Sequence, residues 1–255
     1  MNPPGRRSRS QSPGQTLPRP LLMMVSDRRL YAALPPPPAA LVPLTNEETA
    51  VASLVSAAAA AARAGVNLVQ VRERGLEDGS LLSLAVQLRE AIAADGARLL
   101  VNDRLDVALA AGAAGVHLPG RAVAAARVRA VVPDCFLIGR SVHSEADAIA
   151  SAREGGCDYV IFGSVFESTS KPAGHAIAGL DTLARVCAAV RLPVVAIGGI
   201  TASRVPEVVR AGAAGIAAIG LFGRAEPSEL VEIVGQVRQA FGATPHAPRT
   251  TGPGP

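Results

Sequence analysis

Two glycine-bearing turns carry the most explicit chemistry in the chain. In "AIGGITASRVPEVV" (196–209), Gly198 and Gly199 directly precede a helix start whose first turn offers Thr201 and Ser203. In "AIGLFGRAEP" (218–227), Ile219 and Gly220 open a second turn of the same kind. Glycine lets backbone N–H groups approach an anion, and a helix N-terminus adds favourable partial charge. Gly198, Gly199, Ile219 and Gly220 are therefore read as binding the phosphate of a phosphorylated ligand; two plain tight turns are the bland alternative. His143, in "IGRSVHSEADA" (138–148), is the second candidate. The chain has only four histidines, and this one lies where an apolar run ends and an acidic helix start begins. A core histidine would sit inside a periodic apolar pattern instead.

Other polar groups close apolar runs in the same manner. Gln70, Arg72 and Arg74 follow one run, Asn102 and Asp103 the next, then His117, then Arg140 and Ser141, then Ser164 with a long loop through Lys171. The elements that must position them can be counted. Eight apolar runs, at 21–27, 67–73, 98–103, 115–118, 136–142, 159–165, 193–199 and 215–220, alternate with helical patterns such as "EETAVASLVSAAAAAARAG" and "SEADAIASAREGG". The joints repeat one grammar, "ARAG", "AAGAAG", "REGG" and "RAGAAG", in which a helix ends at glycine before the next apolar run. Eight strands alternating with helices predict a closed (β/α)8 barrel of the α/β class, with catalytic groups at the C-terminal strand ends. The polar residues above all fall on that rim, and the loops after strands seven and eight are the recurrent phosphate position of such barrels.

Composition agrees. Of 255 residues 49% are hydrophobic and 3% aromatic, so the core must be built from Ala, Val, Leu and Ile, as suits a parallel sheet covered by helices. The net charge of +4 is unevenly placed. Residues 1–20 hold Arg6, Arg7, Arg9 and Arg19 among Pro, Ser and Gln, and read as a disordered tail. No nucleic-acid partner is inferred. A secretory apolar segment and a membrane-length run are both missing, so no membrane partner is expected and a cytoplasmic setting is. "PPPP" at 35–38 is a stiff loop insert, 21–242 is read as one barrel domain, and 243–255 as a loose end. Cys135, Cys157 and Cys187 lack metal-ligand spacing and read as buried thiols in a reducing compartment.

Five segments then carry a family resemblance: "LVQVRERG", "LLVNDRLDVALAAGAAGVHL", "GRSVHSEADA", "DYVIFGSVFESTSKPAG" and "LPVVAIGGIT". They resemble the signature segments of thiamine-phosphate synthases and their sister group, the thiazole tautomerases, in family order over nearly the whole barrel. The synthase resemblance implies joining a pyrimidine diphosphate to a thiazole phosphate with loss of pyrophosphate, assisted by Mg²⁺. Gln70, Arg72 and the position of Arg74, where a lysine is usual, resemble its diphosphate-binding pattern, and Asn102 and Asp103 match its diphosphate and metal positions. Ser141 and the "STSK" run (Ser168, Ser170, Lys171) resemble its substrate contacts. After strand four, however, the synthase carries an acid that completes the metal site, whereas this chain reads "VHLPGRAVAAARV" with Arg121.

"VRERG", the Leu118-Pro119 step, "IGRSVHS" and "YVIFGSVFES" are similar to the tautomerase branch, which is the favoured reading. It implies aromatisation of a carboxylated thiazoline phosphate, a small-molecule substrate, without metal or organic cofactor. His143 would be the acid–base catalyst, since imidazole holds and releases protons near neutrality. The synthase, with Mg²⁺, is the alternative, and a non-catalytic barrel that binds a thiamine precursor in regulation is a second. Two readings of His117 stay open, a substrate contact and a packed, satisfied side chain. His175 reads as an exposed loop residue and Glu73 as a partner of nearby arginines. Homo-oligomerisation is left open.

Overall fold

Each apolar run becomes a strand because it is buried on two sides, against helices outside and against seven other strands inside. A computed structural model describes residues 17–32, 45–168 and 176–242. The order is β1 (Leu21–Val25), α1 (Asn46–Ala64), β2 (Leu68–Val71), α2 (Asp78–Ala93), β3 (Arg98–Asn102), α3 (Leu105–Ala110), β4 (Gly115–Leu118) and α4 (Ala125–Arg129). It continues with β5 (Leu137–Val142), α5 (Glu145–Glu154), β6 (Tyr159–Phe162), α6 (Gly179–Ala189), β7 (Val194–Ile197), α7 (Val205–Arg210), β8 (Gly215–Ala218), α8 (Gly220–Gly223) and α9 (Pro227–Gly242). The strands pair in parallel in sequence order, and β8 returns to β1 with Leu21 opposite Gly215. The (β/α)8 barrel expected from the sequence is the observed fold. Most of the apolar runs outlast their strands by one to three residues, since hydrophobicity does not mark where ladder pairing stops.

Strand side chains alternate between two cores, as period-two geometry requires. Leu21, Met23, Val25, Leu68, Leu100, Leu137, Tyr159, Ile161, Val195 and Ala217 fill the barrel interior. Leu22, Met24, Val69, Leu99, Val116 and Ile138 face outward into the larger core beneath the helices. Ala-rich α1 supplies Ala50, Ala58, Ala61 and Ala62 to that outer core, where small side chains let it lie close to the sheet. Thr45 and Glu48 close its N-terminus as a reciprocal capping box, and Gly65 ends it in the left-handed conformation. Arg238 on α9 donates to the Gly65 carbonyl at 2.7 Å, tying the last helix to the first.

Two sequence expectations change in detail. Leu17, assigned to the tail, packs against the interior cluster. The cysteines were expected to be buried, but Cys135 is exposed and the other two only partly buried. Cys135 lies in the loop before β5. Burial does push the Cys157 thiol up to about 11. Residues 1–16, the proline run at 35–38 and residues 243–255 lie outside the described residues. Among the described residues, no helix is long and apolar enough to cross a membrane.

Candidate active site

The end of β2 is anchored from below. The Ser26 hydroxyl, just past β1, donates to Glu73 Oε1 at 2.6 Å and accepts from the Arg72 backbone N–H at 2.9 Å. Glu73 also takes the Arg28 backbone N–H at 3.1 Å and an ion pair with the Arg28 guanidinium at 3.3 Å. Glu73 is thus an arginine partner, as read from sequence, and it fixes the strand end from which Arg72 and Arg74 project. Arg72 is half-buried and Arg74 exposed. Desolvation, then the neighbouring Arg74 charge, push the Arg72 guanidinium below its ordinary range, although it stays protonated at neutral pH. Two like charges side by side, one of them partly desolvated, favour an anion with several oxygens.

Gln70 points into the barrel and donates to Asn102 Oδ1 at 3.4 Å. Asp103, next along, is exposed and has φ +65°, a conformation that Asp tolerates better than most residues. Its backbone N–H donates to the His117 carbonyl at 2.9 Å, which holds the β3 end beside the β4 end. After β4 the loop through Gly120 and Arg121 is strapped down by Arg140, which donates to Gly120 O at 3.0 Å and Val123 O at 3.2 Å. Arg140 is therefore a loop support rather than a free rim cation.

His117 is 2% exposed, and both its ring nitrogens have partners, Ser141 Oγ at 2.8 Å and Tyr159 Oη at 3.3 Å. Of its two readings the packed one describes its position, below the mouth and behind Ser141. Ser141 itself is half-buried on β5. His143 stands two residues further on, exposed, with Nδ1 2.8 Å from the Gly163 carbonyl. A carbonyl only accepts, so Nδ1 carries a proton there and Nε2 is the atom left for other partners. Ser144 caps α5 and accepts from Asp147 N–H, while the Asp147 carboxylate accepts the His143 backbone N–H at 3.2 Å. The first-turn acids thus settle the helix start.

On the far side, the segment after β6 lies across the end of β7. Val165 and Phe166 donate to Ile197 O and Gly198 O at 2.9 and 3.1 Å. Gly199 has φ +61°, and a Cβ there would lie 2.0 Å from Glu167 O. The glycine is needed by this crossing as well as by any ligand. Gly220 differs: its nearest neighbour to an added Cβ is Arg224 Cδ at 3.9 Å. Short α8 starts there and Gly223 N–H returns to Ile219 O at 2.9 Å. Ser164, half-buried, holds Ala178 N–H through its carbonyl at 2.9 Å. Ser168 is also half-buried, whereas Ser170, Lys171 and His175 lie outside the described residues.

The sequence reading missed Ser26 and Arg28, and it took Tyr159 for an ordinary strand residue. Ser26 had a signal, a polar residue ending "LLMMVS", but Tyr159 had none. For a metal, the described residues hold no cluster of three His, Cys, Asp or Glu side chains. Asp103 is the exposed carboxylate that the synthase resemblance sets at its metal position. That fits a Mg²⁺ ion carried in on a diphosphate, which supplies oxygens itself, better than an all-protein cage.

A family model described as thiamine monophosphate synthase matches residues 41–222. A thiamine-phosphate synthase of Methanoculleus marisnigri is 48% identical over 158 residues, covering 62% of this chain and 74% of that protein. One of Chlorobium limicola is 37% identical over 173 residues, covering 67% and 82%. Among solved structures, a thiamine phosphate pyrophosphorylase from Pyrococcus furiosus superposes with a TM-score of 0.69 at 28% identity, covering 88% of this chain and 96% of that one. These relatives overturn the tautomerase expectation, since they carry the synthase name. The acid missing after β4 does not exclude the synthase, because a diphosphate provides much of a Mg²⁺ coordination shell. With that expectation goes the proton-shuttle role of His143.

Proposed function

Because the chain belongs to the thiamine monophosphate synthase family, we propose that it joins a hydroxymethylpyrimidine diphosphate to a thiazole phosphate, giving thiamine phosphate and pyrophosphate. The observation that carries this reading, beside the family match, is that one rim bears two separate places for anions. Arg72 and Arg74, with Asn102 beside them, suit the diphosphate. The backbone at Gly198, Gly199, Ile219 and Gly220 suits the single phosphate of the second substrate.

In this displacement the thiazole nitrogen lone pair forms the new bond to the pyrimidine methylene carbon. The carbon–oxygen bond to the diphosphate breaks, and its electron pair leaves on the diphosphate. Asp103 is the carboxylate that would hold a Mg²⁺ ion, which when bound would supply charge neutralisation for the leaving diphosphate. Arg72 and Arg74 add to the same neutralisation. Phosphate grips at both ends bring the two reacting atoms together, so positioning supplies much of the acceleration. The reacting atoms exchange no proton, and His143 accordingly has no acid–base step.

Supplying both substrates with Mg²⁺ to the purified protein tests the reading. Thiamine phosphate and pyrophosphate should appear in equal amounts. Tight binding of both substrates without product would instead favour the non-catalytic binding protein.

A further inference from the structure

Three residues at one level of the barrel interior are joined across three strands. His117 on β4 lies in register with Gly139 on β5, and Gly139 with Tyr159 on β6. A Cβ at Gly139 would sit 2.1 Å from Tyr159 Cζ and 2.3 Å from its hydroxyl oxygen. The glycine therefore opens the passage by which the tyrosine reaches over the middle strand. Its hydroxyl arrives 3.3 Å from His117 Nδ1, with the two rings stacked at 5.9 Å and 28°. His117 Nε2 meets Ser141 Oγ at 2.8 Å, two residues up β5 and at the mouth.

Hydrogen-bond accounting gives this chain a direction. Tyr159 is fully buried, and a buried phenol O–H needs an acceptor. Among the described residues the acceptor in reach is His117 Nδ1. Burial, and secondarily the Arg72 charge, push the His117 pKa down to about 3, so the ring is neutral and carries one proton. If Nδ1 accepts, that proton is on Nε2, which donates to Ser141 Oγ. The serine has then accepted from below, and its own proton is turned toward the open mouth.

We propose that Tyr159 and His117 are positioning residues, a one-way hydrogen-bond relay that holds Ser141 as an oriented donor and so selects an acceptor atom, an unprotonated ring nitrogen or a phosphoryl oxygen, on the bound ligand. The direction of the relay stands on the barrel interior alone. That the ligand is a substrate of the condensation rests on the function proposed above.

The tautomer is readable by ¹⁵N NMR of histidine-labelled wild-type protein, with no variant required. His117 should show Nδ1 unprotonated and Nε2 protonated, unchanged from pH 8 down to pH 5. A protonated Nδ1 with bare Nε2, or titration of this ring near neutrality, would overturn the relay. Kinetics supply the second arm. H117Q can place an amide donor where Nε2 was, and it should keep KM for the pyrimidine diphosphate within about threefold of wild type. H117L and Y159F should raise KM roughly tenfold while kcat changes much less, with thermal unfolding run beside them. Equal damage in H117Q and H117L would also count against the relay. Were wild-type protein to show no condensation, the proposed function would fail and the NMR arm would still decide the relay.

Discussion

At the residue scale, His143 and His117 exchange the importance that their positions in the sequence suggested. His143→Gln should leave turnover within a few-fold of wild type, because the proposed displacement moves no proton at the reacting atoms. A loss of roughly 10²–10⁴-fold would restore an acid–base role. His117 instead governs acid stability. Its folded pKa, about 3, lies below the ordinary 6.5. The unfolded chain therefore binds a proton that the folded protein refuses between those values. Stability from this site is complete above about pH 6.5 and falls as pH drops toward 3, by on the order of a few kcal/mol. Urea unfolding at pH 7 and pH 4.5 should show the loss, and His117→Gln should make it shallower. Glu73→Ala should cost about 3 kcal/mol in the same assay, since it leaves Arg28 and the Ser26 hydroxyl without their shared carboxylate. Asp103→Asn keeps a residue that tolerates positive φ but removes the charge. Its expected signature is a Mg²⁺ requirement raised about tenfold, read from the dependence of rate on metal concentration.

At the element scale, the eight strands were legible because buried parallel strands leave continuous apolar runs, and the joints because glycine ends the helices. The polar rim was legible for the same reason, as polarity appears where the runs stop. What lay below the rim was not. "GVHL" gives no sign of which way its histidine points, and Tyr159 reaches His117 only because two registers place Gly139 between them. The glycine turns separate in the same way. Gly199→Val is a poor probe of phosphate binding, because the side chain would meet Glu167 O in a backbone conformation that valine resists. Gly220→Ala has room, with its nearest contact 3.9 Å away. It should leave the thermal midpoint within about two degrees of wild type and weaken thiazole phosphate roughly tenfold in calorimetry. Unchanged affinity would place the phosphate elsewhere on the rim.

At the scale of the whole molecule, barrel closure brings the ends of β2 and β3, proposed for the diphosphate, and those of β7 and β8, proposed for the single phosphate, to one mouth. The polar rim was legible in the sequence but the choice between two sister reactions was not, because the chain resembles both in the same segments. The loop after β4, with Arg121 where the synthase resemblance implies an acid, favours the sister reaction, whereas the relatives carry the synthase name. The most direct measurement is therefore a single-turnover reaction of purified protein with pyrimidine diphosphate, thiazole phosphate and Mg²⁺, quenched and analysed for both products. One equivalent each of thiamine phosphate and pyrophosphate is the expected result. Folded protein that binds both substrates yet releases no pyrophosphate would contradict the account.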